Sequence, residues 1–434
     1  MTKYKSICFL LIIIALTACT TDRPNNGALD RKMTGLLEAK DYFRLETALN
    51  NSGSQLSEAK ELYYCAFVQN AFNRTEQSLQ TIDRLFSKHK KSLNDSLIAN
   101  LLLVKYDSHI KQFEYQQGAE ALHTMLASYS HAMDSAKLEE YKRDYPVFEM
   151  LKNAPPQKIC HTTDVTVPIR KNEFNHLTMQ VICNGVREDF IFDTGANLST
   201  IVESVAERMG IKPLEGSVQI GTSTGNYVAM KIGVADSLRI SGLLFENVVF
   251  LIVPDENLSF PDFNYYIRGV IGFPLMYQMK EIRIDHRTGN IVVPQTPVKQ
   301  NLHNLFLDGL EPVVQLVSGQ DTLLFMMDTG AVTSEFSKKY FDEHRERIVE
   351  TSNHITRKRG GAGGIIETEI YELTEAPFKI GNFQMTLPKI SVETLEYSST
   401  ECFDGNLGQD VLMYFDEMIL NFESMYLTFG DKKE

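Results

Sequence analysis

The sequence predicts an α-helical domain followed by a two-lobed part built almost entirely of β-strands. Two observations support this prediction: the hydrophobic period changes after residue 153, and the second part of the chain repeats itself. With 434 residues, the chain is long enough for two or three domains with substantial cores. Its formal net charge of -13 argues against nucleic-acid binding, which needs a basic surface.

The first residues are typical of a signal peptide. Two lysines precede the apolar run 7–16, which is too short to span a bilayer comfortably. The ending Leu16-Thr17-Ala18-Cys19 resembles a bacterial lipobox, which implies cleavage after residue 18 and lipidation of Cys19; ordinary secretion is the alternative. We therefore expect a signal peptide over 1–18, and then a tether over 19–28 that holds the protein at a membrane of the cell envelope. In a cell with two membranes, the sequence after the lipobox favours the outer one.

Residues 29–153 have the hydrophobic period of helices. Apolar stripes recur at helical spacing, and the pairs Ser57-Glu58 and Asn94-Asp95 are typical of helix N-termini. The segment 63–86 is similar to 102–126 at a period near 39, as expected for stacked tetratricopeptide-like hairpins, although any antiparallel bundle would give similar stripes. Such a domain could recruit a protein partner, or could cover a site elsewhere in the chain as an inhibitory segment.

The rest of the chain contains one arrangement twice. Asp193-Thr194-Gly195-Ala196 and Asp328-Thr329-Gly330-Ala331 each follow apolar residues, as expected for a strand that ends in a tight turn. Gly272 lies 79 positions after the first Asp, and Gly408 lies 80 positions after the second. Hairpin signals before each turn and strands after it also recur at matched offsets. The repeat predicts two lobes of one fold, at 158–295 and at 296–434.

At these residues the chain resembles the retropepsin and pepsin superfamily of aspartic proteases. In that family each lobe supplies one Asp-Thr/Ser-Gly loop, and a later glycine that follows two apolar residues packs behind the loop. The alanines after Gly195 and Gly330 are similar to the retroviral type, so the chain resembles a retropepsin dimer fused into one polypeptide. Asn406 departs from the pattern, because it places a polar residue at the first of the two apolar positions before Gly408.

The resemblance implies an aspartic endopeptidase with Asp193 and Asp328 as its catalytic dyad. Two carboxyls that share one proton can take a proton from an attacking water and supply one to the departing nitrogen, and aspartic proteases are the known example. Two unit charges about 4 Å apart repel by about 4 kcal/mol at an effective dielectric constant near 20, so the pair keeps one proton over a broad pH range. Taken singly, each Asp-Thr-Gly would also suit an ordinary turn.

The neighbours of the aspartates have supporting roles in this interpretation. Gly195 and Gly330 permit the backbone conformation of the turns, and their amides can support the carboxylates. The resemblance implies that the Thr194 and Thr329 hydroxyls hydrogen-bond across to the opposite loop. Because the alanines that follow the glycines offer no hydroxyl, we expect a raised pKa of the pair and a pH optimum less acidic than that of pepsin-type enzymes.

Two glycine-rich segments, one in each lobe, are candidate flaps. Their candidate residues are Gly221, Thr222 and Gly225 in the first lobe, and Gly361 and Gly363 in the second. Mobile hairpin tips can cover a cleft, although glycines also mark ordinary β-turns. Arg357-Lys358-Arg359, just before the second tip, could favour an acidic peptide or could form a solvated loop.

The sequence contains no motif for a metal or an organic cofactor. Walker, Rossmann and His-Glu-x-x-His motifs are absent, and the cysteines after Cys19 lack Cys-x-x-Cys spacing. Cys160 and Cys183 could pair in an exported protein, or could be small core residues. The expected partners are a peptide or protein substrate and a membrane reached through the lipid, without nucleic acid. The alternatives to proteolysis are a peptide-binding protein without turnover and a helical-repeat adaptor.

Overall fold

The computed structural model describes residues 26–222, 224–395 and 402–430. Within these residues, a helical domain precedes a two-lobed β domain, as the change of hydrophobic period predicts. The predicted signal peptide, Cys19 and most of the predicted tether lie outside the described residues. The end of the tether is placed wrongly, because Asn26 caps a helix that starts at Gly27. No helix in the described part of the chain is both long enough and apolar enough to cross a membrane.

The helical domain is built from hairpins. Its helices are Gly27–Glu38 (α1), Tyr42–Asn50 (α2), Glu58–Ala71 (α3), Thr75–His89 (α4), Asp95–Lys111 (α5), Tyr115–Ser128 (α6) and Ser135–Leu151 (α7). Ser57 and Asn94 cap α3 and α5 through their side-chain oxygens, at the two predicted positions. The α3–α4 and α5–α6 turns contain Asn73 and Phe113, both with a left-handed φ of 58°. These equivalent turns lie 40 residues apart, close to the period seen in the sequence.

The first lobe contains strands and two short helices. The strands are Lys158–Cys160 (β1), Val165–Lys171 (β2), Leu177–Cys183 (β3), Val186–Phe192 (β4), Ser199–Val202 (β5), Val218–Gly221 (β6), Tyr227–Ile240 (β7), Leu243–Val253 (β8), Ser259–Phe260 (β9), Tyr265–Tyr266 (β10), Gly269–Ile271 (β11), Glu281–Asp285 (β12) and Asn290–Val293 (β13). The helices are Glu203–Arg208 (α8) and Phe273–Gln278 (α9).

The second lobe repeats most of this order. Its strands are Leu305–Asp308 (β14), Glu311–Ser318 (β15), Asp321–Met327 (β16), Glu335–Phe336 (β17), Asn353–Gly361 (β18), Gly364–Ile380 (β19), Phe383–Glu393 (β20), Gly405–Leu407 (β21), Glu417–Asn421 (β22) and Tyr426–Phe429 (β23). Its helices are Lys338–Thr351 (α10) and Gln409–Leu412 (α11). The helix after the second Asp loop is thus longer than its counterpart α8.

In both lobes, the strand that leads into the Asp-Thr-Gly loop forms the same pairings. β4 makes an antiparallel hairpin with β3, and β16 makes one with β15. β4 is parallel to β11, with Phe192 opposite Ile271, and β16 is parallel to β21, with Met327 opposite Leu407. Because parallel strands end at the same edge, each Asp loop lies next to the glycine that follows β11 or β21.

A shared sheet holds the lobes together. β12 of the first lobe pairs antiparallel with β22 of the second, so that Ile282 faces Leu420 and Ile284 faces Met418. These four side chains are completely buried. Such burial contributes roughly 1.5–3 kcal/mol for each aliphatic side chain, so the shared sheet fixes the relative position of the two lobes.

The helical domain packs directly on the β domain. Lys40 Nζ lies 2.5 Å from Asp308 Oδ2, and Asn73 Nδ2 donates to the Phe422 carbonyl oxygen at 2.6 Å. Tyr42 packs edge-on against Phe306, with 5.1 Å between ring centroids. The interface between the helical domain and the β domain therefore contains both apolar and polar contacts.

The two cysteines of the first lobe do not form a disulfide. Cys160 is exposed on β1, whereas Cys183 is buried on β3. The core-residue interpretation is therefore correct for Cys183 and wrong for Cys160.

Candidate active site

The carboxyl groups of Asp193 and Asp328 meet where β4 and β16 end. They lie close enough for a hydrogen bond between them and for the charge of Asp328 to raise the pKa of Asp193. The Gly195 amide donates to Asp193 Oδ1 at 2.8 Å, and the Gly330 amide donates to Asp328 Oδ1 at 2.8 Å. Two lobes that are far apart in sequence therefore contribute one carboxyl each to a single pair.

Each loop glycine packs against the carboxyl of the other lobe. A Cβ atom on Gly195 would lie 2.8 Å from Asp328 Cγ, and one on Gly330 would lie closer still to Asp193 Cγ. Neither glycine has a left-handed φ. Close approach to the opposite carboxyl, rather than the backbone freedom that we expected from the sequence, therefore excludes a side chain at these two positions.

The two buried threonines cross-link the loops, as the family resemblance implies. Thr194 Oγ1 accepts from the Thr329 amide and Thr329 Oγ1 accepts from the Thr194 amide, both at 3.0 Å. In turn, Thr194 Oγ1 donates to the Met327 carbonyl at 2.8 Å, and Thr329 Oγ1 donates to the Phe192 carbonyl at 2.9 Å. Both threonines are fully buried, so these four hydrogen bonds hold the loops in one geometry.

A serine lies behind each loop, at a position that the predicted site did not include. Ser199 Oγ accepts from the Gly272 amide at 3.0 Å, and Ser334 Oγ accepts from the Gly408 amide at 2.8 Å. A Cβ on Gly272 would lie 2.7 Å from the Ala196 carbonyl oxygen. Each serine lies six positions after its aspartate, so the repeat itself contained the signal that could have found them.

Burial raises the pKa of Asp193 well above its usual range. The charge of Asp328 and the hydrogen bond between the two carboxyls raise this pKa further, and the amides of Gly195 and Gly330 oppose the rise. The site therefore favours a state in which Asp193 keeps a proton.

Asn406 makes the pair asymmetric. Its Nδ2 donates to Asp328 Oδ2 at 3.0 Å, and the Ala331 amide adds a hydrogen bond to Asp328 Oδ1 at 2.9 Å. The equivalent position in the first lobe is Val270, which has no donor. The polar residue that departs from the family pattern does not disturb the packing of β21, because its neighbour Leu407 is fully buried. It is a donor to the candidate dyad.

The two candidate flaps meet at their tips. The first is the β6–β7 hairpin with Gly221, Thr222 and Gly225, and the second is the β18–β19 hairpin with Gly361 and Gly363. Asn226 Nδ2 donates to the Gly363 carbonyl at 3.1 Å. A Cβ on Gly363 would collide with the hydroxyls of Thr222 and Thr224. The helical domain also reaches the first flap, since the Arg143 guanidinium lies 5.1 Å from the Tyr227 ring centroid.

The arginines before the second tip do not form a solvated loop, which corrects one of the two interpretations. Arg357 Nη2 donates to Glu335 Oε2 at 2.7 Å, and Arg359 Nη2 donates to Glu335 Oε1 at 2.8 Å. Both arginines also contact Glu393. Lys358, by contrast, is exposed.

Comparison with known proteins agrees with this geometry for the first lobe. The family model described as aspartyl protease matches residues 179–275, from β3 to α9. This part of the chain is therefore similar to an aspartyl protease domain. No curated protein matches the chain. Within the described residues, no group of three or more His, Cys, Asp or Glu side chains is placed to hold a metal ion.

Proposed function

We propose that the protein is an aspartic endopeptidase in which Asp193 and Asp328 activate a water molecule. The observation that supports this most directly is the contact of the two carboxyls, each held by the amide of its own loop glycine. The match of the first lobe to the aspartyl protease family supports a protease-like function independently.

The donors around the pair suggest which carboxyl keeps the proton. Asp328 accepts from two backbone amides and from Asn406. Hydrogen bonds to a carboxylate stabilise its charged form, so the ionised group is Asp328 and the protonated group is Asp193. Since the carboxyls interact strongly, the apparent pKa values belong to the pair.

The proposed reaction proceeds through a tetrahedral intermediate. Asp328 takes a proton from water as the water oxygen bonds to the peptide carbonyl carbon, and Asp193 gives its proton to the carbonyl oxygen. The carbon–nitrogen bond then breaks as the nitrogen takes the proton from Asp328, and one hydroxyl of the intermediate returns its proton to Asp193 as the carboxylic acid forms. The pair ends with one proton, as it began, and the products are a carboxylic acid and an amine.

Closed flap tips would exclude bulk water from this reaction. Gly221, Thr222, Gly225, Gly361 and Gly363 are therefore proposed as flap residues. Because the Asn226–Gly363 hydrogen bond joins the tips, a substrate must break it or enter beneath it.

The test is to replace Asp193 or Asp328 by Asn and to assay a peptide library. kcat/KM should fall by about 10³-fold or more in each variant, because the two carboxyls act together and removing one of them disables the pair. Circular dichroism and urea unfolding would check that the variants fold. Activity that survives either change would reject the dyad, whereas peptide binding without cleavage by the wild type would favour a binding protein without turnover.

The chain offers a matched control in Asp285→Asn. Asp285 Oδ1 accepts from the Arg287 and Thr288 amides at 2.9 Å, both in a turn of the first lobe. The second lobe has Asn421 at the equivalent turn, where its Oδ1 accepts from the Glu423 and Ser424 amides. The control variant therefore copies a residue that already works at this position, and it should retain full activity.

We also propose that the protein is anchored in the cell envelope by lipid on Cys19, and that the helical domain can present a face to a protein partner. The lipobox-like sequence that ends at Cys19 supports the anchor. Expression with a Cys19→Ala substitution should move the protein from the membrane fraction to the soluble fraction and abolish fatty-acid labelling. Unchanged labelling would reject Cys19 as the lipid site.

A further inference from the structure

The two lobes differ in chemistry at equivalent positions along the cleft. Thr200 and Glu335 each lie seven residues after their aspartate, and each pairs across its ladder with the residue two positions before the buried glycine. The partner of Thr200 is Val270, and the partner of Glu335 is Asn406. The first lobe thus has an uncharged pair where the second has a carboxylate and an amide.

The flap strands show the same difference. In β6, Val218 and Ile220 turn inward while Gln219 is exposed. In β18, Arg357 and Arg359 turn inward while Lys358 is exposed. Both inward pairs directly precede the glycines of their flap tip, so two aliphatic side chains of the first lobe correspond to two arginines of the second.

Arg357, Arg359, Glu335 and Glu393 form a compact cluster, which we call the arginine wall. The arginine side chains are the more exposed part of the cluster, because they are 24% and 22% exposed while those of Glu335 and Glu393 are 10% and 4% exposed. Burial raises the pKa of Glu393 to about 7, and the charge of Glu335 adds to this rise. When Glu393 is neutral, the two guanidinium groups face the single negative charge of Glu335.

The arginine wall lies within electrostatic reach of the candidate dyad. Although burial opposes it, the charges of Glu335, Glu393 and Asp328 raise the pKa of Arg359. Glu335 of the wall also pairs across its ladder with Asn406, whose Nδ2 donates to Asp328 Oδ2 at 3.0 Å, so a single residue separates the wall from the dyad.

Several polar atoms in this part of the cleft are buried without a partner. Arg357 Nε, Glu393 Oε2 and Asn406 Oδ1 have no hydrogen-bond partner among the described residues. Buried polar groups are normally satisfied, and an unpaired one costs roughly 1–3 kcal/mol. The wall and Asn406 therefore do not satisfy all of their polar atoms through side chains of the described residues.

We propose that the arginine wall is a subsite for an acidic substrate side chain, whereas the equivalent wall of the first lobe, formed by Val218, Ile220 and Val270, accepts an apolar one. This inference rests on the proposed function. It makes the enzyme directional, since a peptide would fit with its acidic residue on one side of the scissile bond and its apolar residue on the other. Arginine suits the task because its planar guanidinium can hold a carboxylate through two hydrogen bonds.

The first test uses the wild-type protein and a peptide library with varied residues on both sides of the cleaved bond. The expected result is enrichment of Asp and Glu on one side, and of aliphatic or aromatic residues on the other. The same apolar preference on both sides would overturn the subsite while leaving the proposed protease function intact.

The second test compares two peptides that differ only by Glu or Gln at the selected position. The wild type should cleave the Glu peptide about ten-fold to a hundred-fold better, the range expected for a charge-assisted hydrogen bond. Arg359→Gln should abolish this ratio with little effect on the Gln peptide. The double variant Glu335→Gln with Arg359→Gln removes one negative and one positive charge, so the wall keeps its charge balance. If this variant also loses the preference for the Glu peptide, an unpaired Glu335 carboxylate is not the cause of the loss.

The matched control is Ile220→Gln, which alters the equivalent flap position of the first lobe. It should leave the Glu-to-Gln ratio unchanged and lower the preference for an apolar residue on the other side. An unchanged ratio in both arginine variants would overturn the assignment of Arg359. If the wild type cleaves neither peptide, the proposed function fails, and calorimetric binding of the same two peptides then decides on the subsite: tighter binding of the Glu peptide supports it, and equal binding overturns it.

Discussion

The two lobes are alike in their buried scaffold and different in the side chains that face the cleft. The threonine cross-links, the glycine amides and the serines behind the loops occur in both copies with nearly equal distances. By contrast, Asn406 replaces Val270, and Arg359 replaces Ile220. A symmetric homodimer must carry every substitution twice. Two copies in one chain can keep the shared scaffold and still change one wall of the cleft independently.

Substituting the loop glycines tests the symmetric part of this comparison most severely. Gly195→Ala and Gly330→Ala each place a methyl group against the opposite carboxyl. We expect kcat/KM to fall by about 10²-fold or more in both, because small displacements of reacting groups carry costs of this size. The loss should be larger for Gly330→Ala, where the approach is closer.

The control for these variants is Gly35→Ala in α1, where a Cβ would meet nothing within 4 Å. It should leave activity unchanged and should slightly raise the urea midpoint, since Ala favours a helix over Gly by roughly 1 kcal/mol. Near-normal cleavage by either loop variant would mean that the carboxyls tolerate separation, which contradicts the proposed chemistry.

The threonine cross-links provide the next test, because the comparison requires them to be equivalent. Thr194→Val and Thr329→Val each leave a buried amide and a buried carbonyl without a partner. We expect each to lower the free energy of unfolding by roughly 2–5 kcal/mol. The double variant should lose less unfolding free energy than the two single variants lose together, because both residues belong to one hydrogen-bond network.

Urea unfolding would measure these changes, with Thr166→Val as the control. Thr166 is an exposed residue of β2, so its substitution should change the free energy of unfolding by less than about 0.5 kcal/mol. Clearly unequal effects of the two buried threonines would show that the lobes differ in their scaffold as well as in their cleft.

The sequence was sufficient to predict the features that the repeat encodes. Two copies of Asp-Thr-Gly, with a glycine at offsets of 79 and 80, predict two lobes and a pair of carboxyls because equal spacing implies equal folding. The same logic could have found Ser199 and Ser334 at their common offset of six. The helix caps Ser57 and Asn94 were predictable because capping is a local interaction.

Features that break the repeat could be noticed in the sequence but not interpreted. Asn406 was visible as a departure, yet its contact with Asp328 depends on the register of β21 against β16. The ion pairs of Arg359 connect residues 24 and 34 positions apart, and the flap contact connects Asn226 with a residue 137 positions away. No local pattern specifies such contacts, because they arise only when strands from different parts of the chain are paired.

Exchanging Asn406 and Val270 between the lobes would sharpen the asymmetric part of the comparison. Asn406→Val removes a hydrogen-bond donor to the ionised Asp328. The pKa at which the doubly protonated pair loses its first proton, and so becomes active, should therefore rise. The acidic limb of the kcat/KM profile should therefore move up by about one pH unit, consistent with the strength of a hydrogen bond to a charged group.

Val270→Asn should act on the opposite limb. Burial and the charge of Asp328 raise the pKa of Asp193. The wild-type pair therefore keeps its one proton, and with it its activity, to a higher pH than an unperturbed carboxyl would allow. A new donor beside Asp193 would stabilise its charged form, and the alkaline limb should move down. If both substitutions shift the same limb, the assignment of the proton to Asp193 is wrong.

The flap tips should give the smallest effect, because their joining hydrogen bond is exposed. Asn226→Ala removes the 3.1 Å contact with the Gly363 carbonyl, and a net contribution of about 0.5–1.5 kcal/mol corresponds to a change of roughly two-fold to ten-fold in KM. Gly363→Ala forces the tips apart without removing that donor, so it should change KM more than Asn226→Ala does. The loop chemistry is untouched in both variants, and kcat should stay within about two-fold if closure contributes mainly to substrate binding. A large fall in kcat with unchanged KM would instead mean that the tips help to align the reacting groups, and the flaps would then belong to the shared catalytic scaffold rather than to the divergent cleft.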